Sequence, residues 1–186
     1  MLSEDQRKVL EAWDEMIHVF EESETISPTI MCKEFYTSYT ESSFKQLPQW
    51  KQDYILKNKR IYSKYKDQWD QWFTKHQKLL SKREIYNQLD WQAGKIKQND
   101  SIFNHFIQFR QSGIRVKTAN YFPTLVAVVQ TPVYGKEKRF ITPRECARLQ
   151  SFPDSFILHK DDRVAYKQLG NSVNVEVIKT AITLFL

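Results

Sequence analysis

Three groups of residues have the types and spacing to do chemistry. The first is Gly170-Asn171-Ser172-Val173, where the glycine frees the backbone to turn or to approach something closely and Asn171 and Ser172 add polar groups beside exposed amides. The second is Arg110, Arg115 and Lys117, set around Gly113 in a stretch that reads as a hairpin or strand pair. Arginine can read guanine in the major groove and lysine can hold phosphate; a solvated strand face gives the same pattern, and both readings stand at this point. The third is the two thiols, Cys32 and Cys146, whose spacing matches no metal or redox motif. Cys146 falls on the apolar side of a helix, so it reads as a buried small hydrophobe rather than a nucleophile.

The helix around Cys146 has marked ends. Thr142 precedes Pro143, and proline is favoured at the first helical position. Thr142 and Glu145 have the spacing of a capping box. Phe140, Cys146 and Leu149 give a short apolar face, while Arg144 and Arg148, four apart, share another side. Phe152-Pro153-Asp154 ends the helix, because the residue before a proline is pushed out of the α region.

The run from Arg139 through Thr142-Pro143-Arg144-Glu145-Cys146-Ala147-Arg148-Leu149-Gln150 to Phe156 is followed by Tyr166-Lys167-Gln168-Leu169-Gly170-Asn171-Ser172-Val173. Together they resemble the last two conserved motifs of the DNA (cytosine-5) methyltransferases, with one departure: Ser151 stands where that family usually has glycine. Tyr121-Phe122-Pro123-Thr124-Leu125-Val126-Ala127 is similar to the family's Pro-Thr strand, and Gly113-Ile114-Arg115-Val116-Lys117 resembles its surroundings more loosely. The resemblance covers about two fifths of the chain.

It implies that Asn171, Ser172 and Val173 line an S-adenosylmethionine pocket, and that Thr142, Arg144 and Glu145 organise a target-recognition region through a cap, ion pairs and hydrogen bonds. The family's catalytic parts are a Phe-x-Gly-x-Gly turn, a Pro-Cys-Gln loop, a Glu-Asn-Val strand and a Gln-x-Arg-x-Arg strand, and none occurs in this sequence. The expectation is therefore the C-terminal part or smaller subunit of a split enzyme of a restriction-modification system. Its partners would be double-stranded DNA and a chain carrying the catalytic cysteine; no metal and no membrane are expected, and the setting is a prokaryotic or phage-encoded cytoplasmic one. Two other readings remain open, a non-catalytic DNA-binding or regulatory protein and the remnant of an interrupted gene.

Composition agrees with a polyanion partner without requiring one. The chain has 186 residues and a formal net charge of +6. Residues 1–24 carry eight acids against Arg7 and Lys8, a net of −6, which leaves +12 on the remainder. Excess cationic charge suits nucleic acid, and lysine-rich soluble helices produce it equally well. No apolar run has membrane-spanning length.

The elements that must position these groups follow from periodicity. Residues 3–20 form a helix with Val9, Leu10, Trp13, Ile17 and Phe20 on one face and acids on the other, packed on its own domain or on a missing partner. Residues 23–47 connect, with short irregular or extended pieces at 26–31 and 35–39. A single helix over 48–76 carries an aromatic stripe and interleaved lysines, and 77–100 is loop-rich. A hairpin lies near 102–117, a strand at 125–129, a linker or short helix at 161–166 and a last helix at 176–186. The fold class is α+β: an acidic helix (1–22), a small mixed recognition domain (23–138) and a C-terminal segment (139–186) that completes an α/β methyltransferase domain.

Overall fold

The computed structural model describes residues 1–21, 24, 30–93, 100–118, 120, 122–125 and 130–185. Helix α1 (Glu4–Ile17) begins where Ser3 accepts from the Gln6 amide at 3.1 Å and the Gln6 side chain accepts from the Ser3 amide at 2.9 Å. Such a cap contributes about 1 kcal/mol. Val9, Leu10, Trp13, Met16 and Ile17 are buried within this chain, which settles the packing of α1 on its own domain.

The acids of α1 and of the residues after it are also engaged. Glu15 meets Lys75 at 2.8 Å, Asp5 meets Lys82 at 2.7 Å, and Glu21 meets Lys64 at 2.8 Å. Glu24 pairs with Arg60 and Lys64. The lopsided charge of the sequence is therefore partly compensated inside the molecule. Exposed pairs of this kind contribute little each, because water and salt screen them.

The expected helix over 48–76 is two helices, α4 (Gln49–Lys64) and α5 (Lys66–Leu80), which follow two short ones, α2 (Lys33–Tyr36) and α3 (Glu41–Lys45). The break is Tyr65, at φ −118° and ψ 34°. Its buried ring packs edge-on against Phe20 at 5.1 Å, so the kink comes from a tertiary wedge that no proline or glycine announces. The expected loop at 77–100 is likewise corrected, since α5 continues to Leu80 and is followed by a 3-10 stretch, Arg83–Leu89, and a strand, β2 (Asp90–Ala93). Helix α2 takes the first two residues of the short irregular or extended piece expected at 35–39, and residues 37–39 are irregular. The expected strand at 125–129 lies outside the described residues beyond Leu125, as do residues 26–29.

Six strands form one mixed sheet in the order β1-β2-β4-β3-β5-β6, with β1 (Ile30–Met31), β3 (Phe106–Arg110), β4 (Gly113–Lys117), β5 (Val133–Tyr134) and β6 (Arg139–Phe140). Among the described residues β2 and β4 run parallel and the other pairs are antiparallel. Side chains alternate across the pleat. Ile30, Trp91, Ile107, Ile114, Val116 and Val133 are therefore buried on the inner face against α1 and α5, where Trp13 stacks on Trp91 at 4.8 Å. A second core joins Ile141, Cys146, Ala147 and Leu169 to Phe122, Tyr134 and Tyr166. It brings α6 (Pro143–Leu149) and α7 (Asp162–Asn171) together, and α8 (Val175–Phe185) closes the chain.

The hairpin turn depends on Gly113. Its φ is +108°, and a β-carbon there would lie 2.1 Å from the Asp90 carbonyl oxygen on the neighbouring strand. We expect Gly113→Ala to lower the unfolding free energy by more than ~2 kcal/mol in urea titration, while Ser112→Ala on the exposed turn changes it by less than ~0.5 kcal/mol.

Candidate functional site

The C-terminal candidates are positioned by a chain of polar contacts that begins in the sheet. Arg139 on β6 holds Glu145 with two parallel hydrogen bonds of 2.8 and 2.9 Å. Glu145 also accepts from the Thr142 amide at 2.7 Å and hydroxyl at 3.0 Å, while Thr142 Oγ1 accepts from the Glu145 amide at 3.2 Å. The capping box expected from the spacing is present, and the carboxylate additionally ties α6 to the sheet. The Arg139 guanidinium first, and the Thr142 donors after it, hold the Glu145 carboxyl down at about 2 against the penalty of burial.

Of the ion pairs and hydrogen bonds expected of Arg144, the structure shows a hydrogen bond. It donates through Nη2 to the Phe156 carbonyl at 2.8 Å, and its Nη1 is buried without a partner. The residue that forms the ion pair with Glu145 is Arg139, which sequence reasoning missed. Its only signal was a position three residues before the cap.

The far end of α6 closes through Ser151. The Ser151 amide donates to the Arg148 carbonyl at 2.9 Å and the Phe152 amide to the Ala147 carbonyl at 3.0 Å, with Phe152 packed in the same apolar cluster as Ala147. That double bond pattern is a Schellman cap, which needs a left-handed residue at this place. Ser151 supplies it at φ +62°. A glycine would adopt that conformation without the clash that a β-carbon brings.

Asn171, Ser172 and Val173 lie at the joint between α7 and α8, and they do not act alike. Gly170 sits in the last turn of α7, so the chain reverses at Ser172, in extended conformation, rather than at the glycine. The Ser172 hydroxyl faces inward against Gln150 Oε1 and the Leu169 carbonyl, the latter at 2.7 Å. Asn171 and Val173 face out, Val173 being 61% exposed. The hub of the joint is Gln150: its Nε2 donates to the Leu169 carbonyl at 2.8 Å, and its own carbonyl accepts from the Val175 amide at 2.9 Å. Asn174 adds a cap to α8, its Oδ1 accepting from the Val177 amide at 3.1 Å. Gln150 could not be singled out beforehand, because its partners across the joint are 19 to 25 residues away, whereas the Asn174 cap is local, three residues from Val177. For a cofactor, this segment offers one open wall: an exposed amide at Asn171, backbone groups, and the Val173 side chain.

The hairpin brings Arg110, Arg115 and Lys117 onto one face of the sheet, opposite the buried Ile107, Ile114 and Val116. Burial, and then the nearby Arg115 guanidinium, push Arg110 below its ordinary value. Among the described residues no group of three or more His, Cys, Asp or Glu side chains is placed to hold a metal ion, and no helix is long and apolar enough to cross a membrane.

A fold of this kind, with a sheet-borne basic hairpin joined to a capped helix and an open polar joint, fits a part of a DNA-modifying enzyme. Residues 4–184 match the family described as C-5 cytosine-specific DNA methylase, and the chain belongs to that family. It is 35% identical over 139 residues to the Type II methyltransferase M.AluI of Cellulosimicrobium cellulans, covering 72% of this chain and 25% of that protein. Over 50 residues it is 64% identical to the Type II methyltransferase M.BanI of Aneurinibacillus aneurinilyticus, covering 27% of this chain and 12% of that one. Over 41 residues it is 58% identical to the Type II methyltransferase M.HpaII of Haemophilus parainfluenzae, covering 22% and 12%. The chain thus spans a quarter or less of the length of these relatives. No solved structure matches it.

Two outcomes follow from this geometry. Replacing Ser151 by glycine should raise stability by about 1 kcal/mol, read as a shift of the urea midpoint without a change of slope. Because the folded Glu145 carboxyl titrates at about 2 rather than 4.5, the unfolded chain takes up the proton first. The stabilisation it gives is present above about pH 4.5 and is lost as pH falls toward 2. Glu145→Gln keeps the cap and should remove this part of the acid sensitivity, seen as a smaller drop in urea midpoint over that window than in the unaltered chain.

Proposed function

We propose that this chain is the C-terminal portion or smaller subunit of a DNA (cytosine-5) methyltransferase of a restriction-modification system, working in the cytoplasm on double-stranded DNA. In this reading it recognises the DNA target through the hairpin face that bears Arg110, Arg115 and Lys117. It completes the S-adenosylmethionine pocket with Asn171, Ser172 and Val173, and the attacking cysteine is on another chain.

The observation that carries the proposal is helix α8. It is the most apolar helix of the chain, yet none of its residues is buried. Val177, Ile178, Ile182 and Phe185 are 42% to 91% exposed, and on a helix these positions with Ala181 make one broad stripe. Glu176, Lys179, Thr180 and Thr183 occupy the other side. A contiguous apolar face of this kind marks a surface that another body covers. It starts two residues after Val173, so whatever covers α8 also stands beside the open polar joint. That placement favours a missing catalytic half over a self-sufficient DNA-binding protein.

Cys146 offers no alternative nucleophile. It is fully buried, and desolvation pushes its thiol up to about 12, so almost no thiolate exists at neutral pH.

The test is co-expression with a chain that carries the Phe-x-Gly-x-Gly, Pro-Cys-Gln and Glu-Asn-Val motifs. Transfer of labelled methyl groups from S-adenosylmethionine to DNA is expected from the mixture and from neither chain alone. Ile178→Glu with Ile182→Glu should abolish co-purification and transfer while leaving the melting of this chain unchanged, since neither side chain is buried. Methyl transfer by this chain alone, or a complex indifferent to the double substitution, overturns the proposal.

A further inference from the structure

The hairpin face is ordered in cross-strand rows. The middle row runs Gln92, Arg115, Gln108 across β2, β4 and β3. The next row toward the turn holds Arg110 opposite Gly113. The row on the other side holds Lys117, Phe106 and Tyr134, and it is covered: Phe106 packs against Phe122 at 4.8 Å and Tyr134 belongs to the second core. The polar rows therefore lie toward the exposed turn, Gln111 and Ser112.

These rows are left unbalanced by the fold. Arg110 Nε is buried with no partner, and Gln108 Oε1 is buried with no partner although Gln108 is only 1% exposed. Among the described residues neither Arg110 nor Arg115 has a carboxylate at ion-pair distance, in a molecule whose other cations are widely paired. Two like charges face each other diagonally across the strands, an arrangement that destabilises the free protein. Buried polar groups left without partners destabilise the free protein. For the two arginines, a ligand must present acceptor atoms to planar, bidentate donors.

Side-chain type decides which acceptors. Arginine pairs bidentately with guanine and glutamine with adenine, on the base edges that the major groove displays. Phosphate anchoring needs only a point charge and no neighbouring amides. We propose that Gln92, Arg110 and Arg115 read base edges in the major groove of the DNA target, and that Lys117 takes no part in the readout. This rests on the reading of the chain as the recognition part of a methyltransferase, and narrows it to a base-reading set.

The experiment is selection of bound duplexes from a randomised DNA library by the full chain, repeated with Arg110→Lys, Arg115→Lys, Gln92→Ala and Lys117→Ala. The unaltered chain should enrich fixed bases. Each arginine variant should lose its preference for guanine at one position by roughly ten-fold or more. The Gln92 variant should relax one adenine position, and the Lys117 variant should keep every preference. Affinity for an unselected duplex, and its slope against salt, should stay unchanged in the arginine variants. Thermal melting of each variant confirms folding, and the two arginines, on separate rows, test the assignment independently. Equal loss on all sequences, with a salt slope smaller by about one per substitution, shows phosphate contacts and overturns the assignment. So does an unchanged base profile. Failure of the unaltered chain to bind any duplex at low salt overturns instead the reading of the chain as a recognition part.

Discussion

The indole of Trp13 lies nearly parallel to Trp91 at 4.8 Å and edge-on to Trp69 at 6.1 Å, with its Nε1 donating to the Gln88 carbonyl at 2.9 Å. The Trp72 Nε1 returns a hydrogen bond to the Ala12 carbonyl at 2.7 Å. Helix α1 is thus the surface on which both the sheet and α5 are laid. Aromatic contacts of this geometry add about 0.5–1.5 kcal/mol beyond the area they bury. They also spend one face of the sheet completely. Because strand side chains alternate, the polar residues of β3 and β4 have only the other face to occupy.

The second body is held differently. Its apolar core is small, and polar contacts at specific atoms carry much of its order. Arg139 and Glu145 join the sheet to α6, and Gln150 joins the end of α6 to the end of α7 and the start of α8. Such bidentate, charge-assisted bonds are strong and geometrically specific. What they build is a joint that is finished on its inner side and open on its outer side, where Val173 and the stripe of α8 meet solvent. Completion by another body is then a matter of covering apolar area, with the polar joint already in place.

Local signals were legible. The Ser3–Gln6 and Thr142–Glu145 boxes, the hairpin around Gly113 and the apolar face of α1 follow from groups within a few residues of each other. The Arg139–Phe156 and Tyr166–Val173 runs were enough to suggest the family. Ser151 was visible as a departure, but its left-handed backbone was not, because a serine does not announce that conformation.

The short-range framework can be read along the chain: helix ends, the turn, the pleat and the family motifs. Their energies come from contacts one helical turn or one strand pair apart. Long-range packing alone makes Tyr65 split a continuous helical pattern against Phe20, pairs β2 in parallel with β4, and sets acids at positions 5 to 24 against lysines and an arginine some 36 to 77 residues on. Only in that packing did Arg139 find Glu145 and Gln150 the far ends of the joint, and only there were Arg110 and Arg115 brought side by side with no carboxylate at ion-pair distance among the described residues. These depend on which surfaces meet once α1 is buried, and periodicity along the chain carries no record of that meeting.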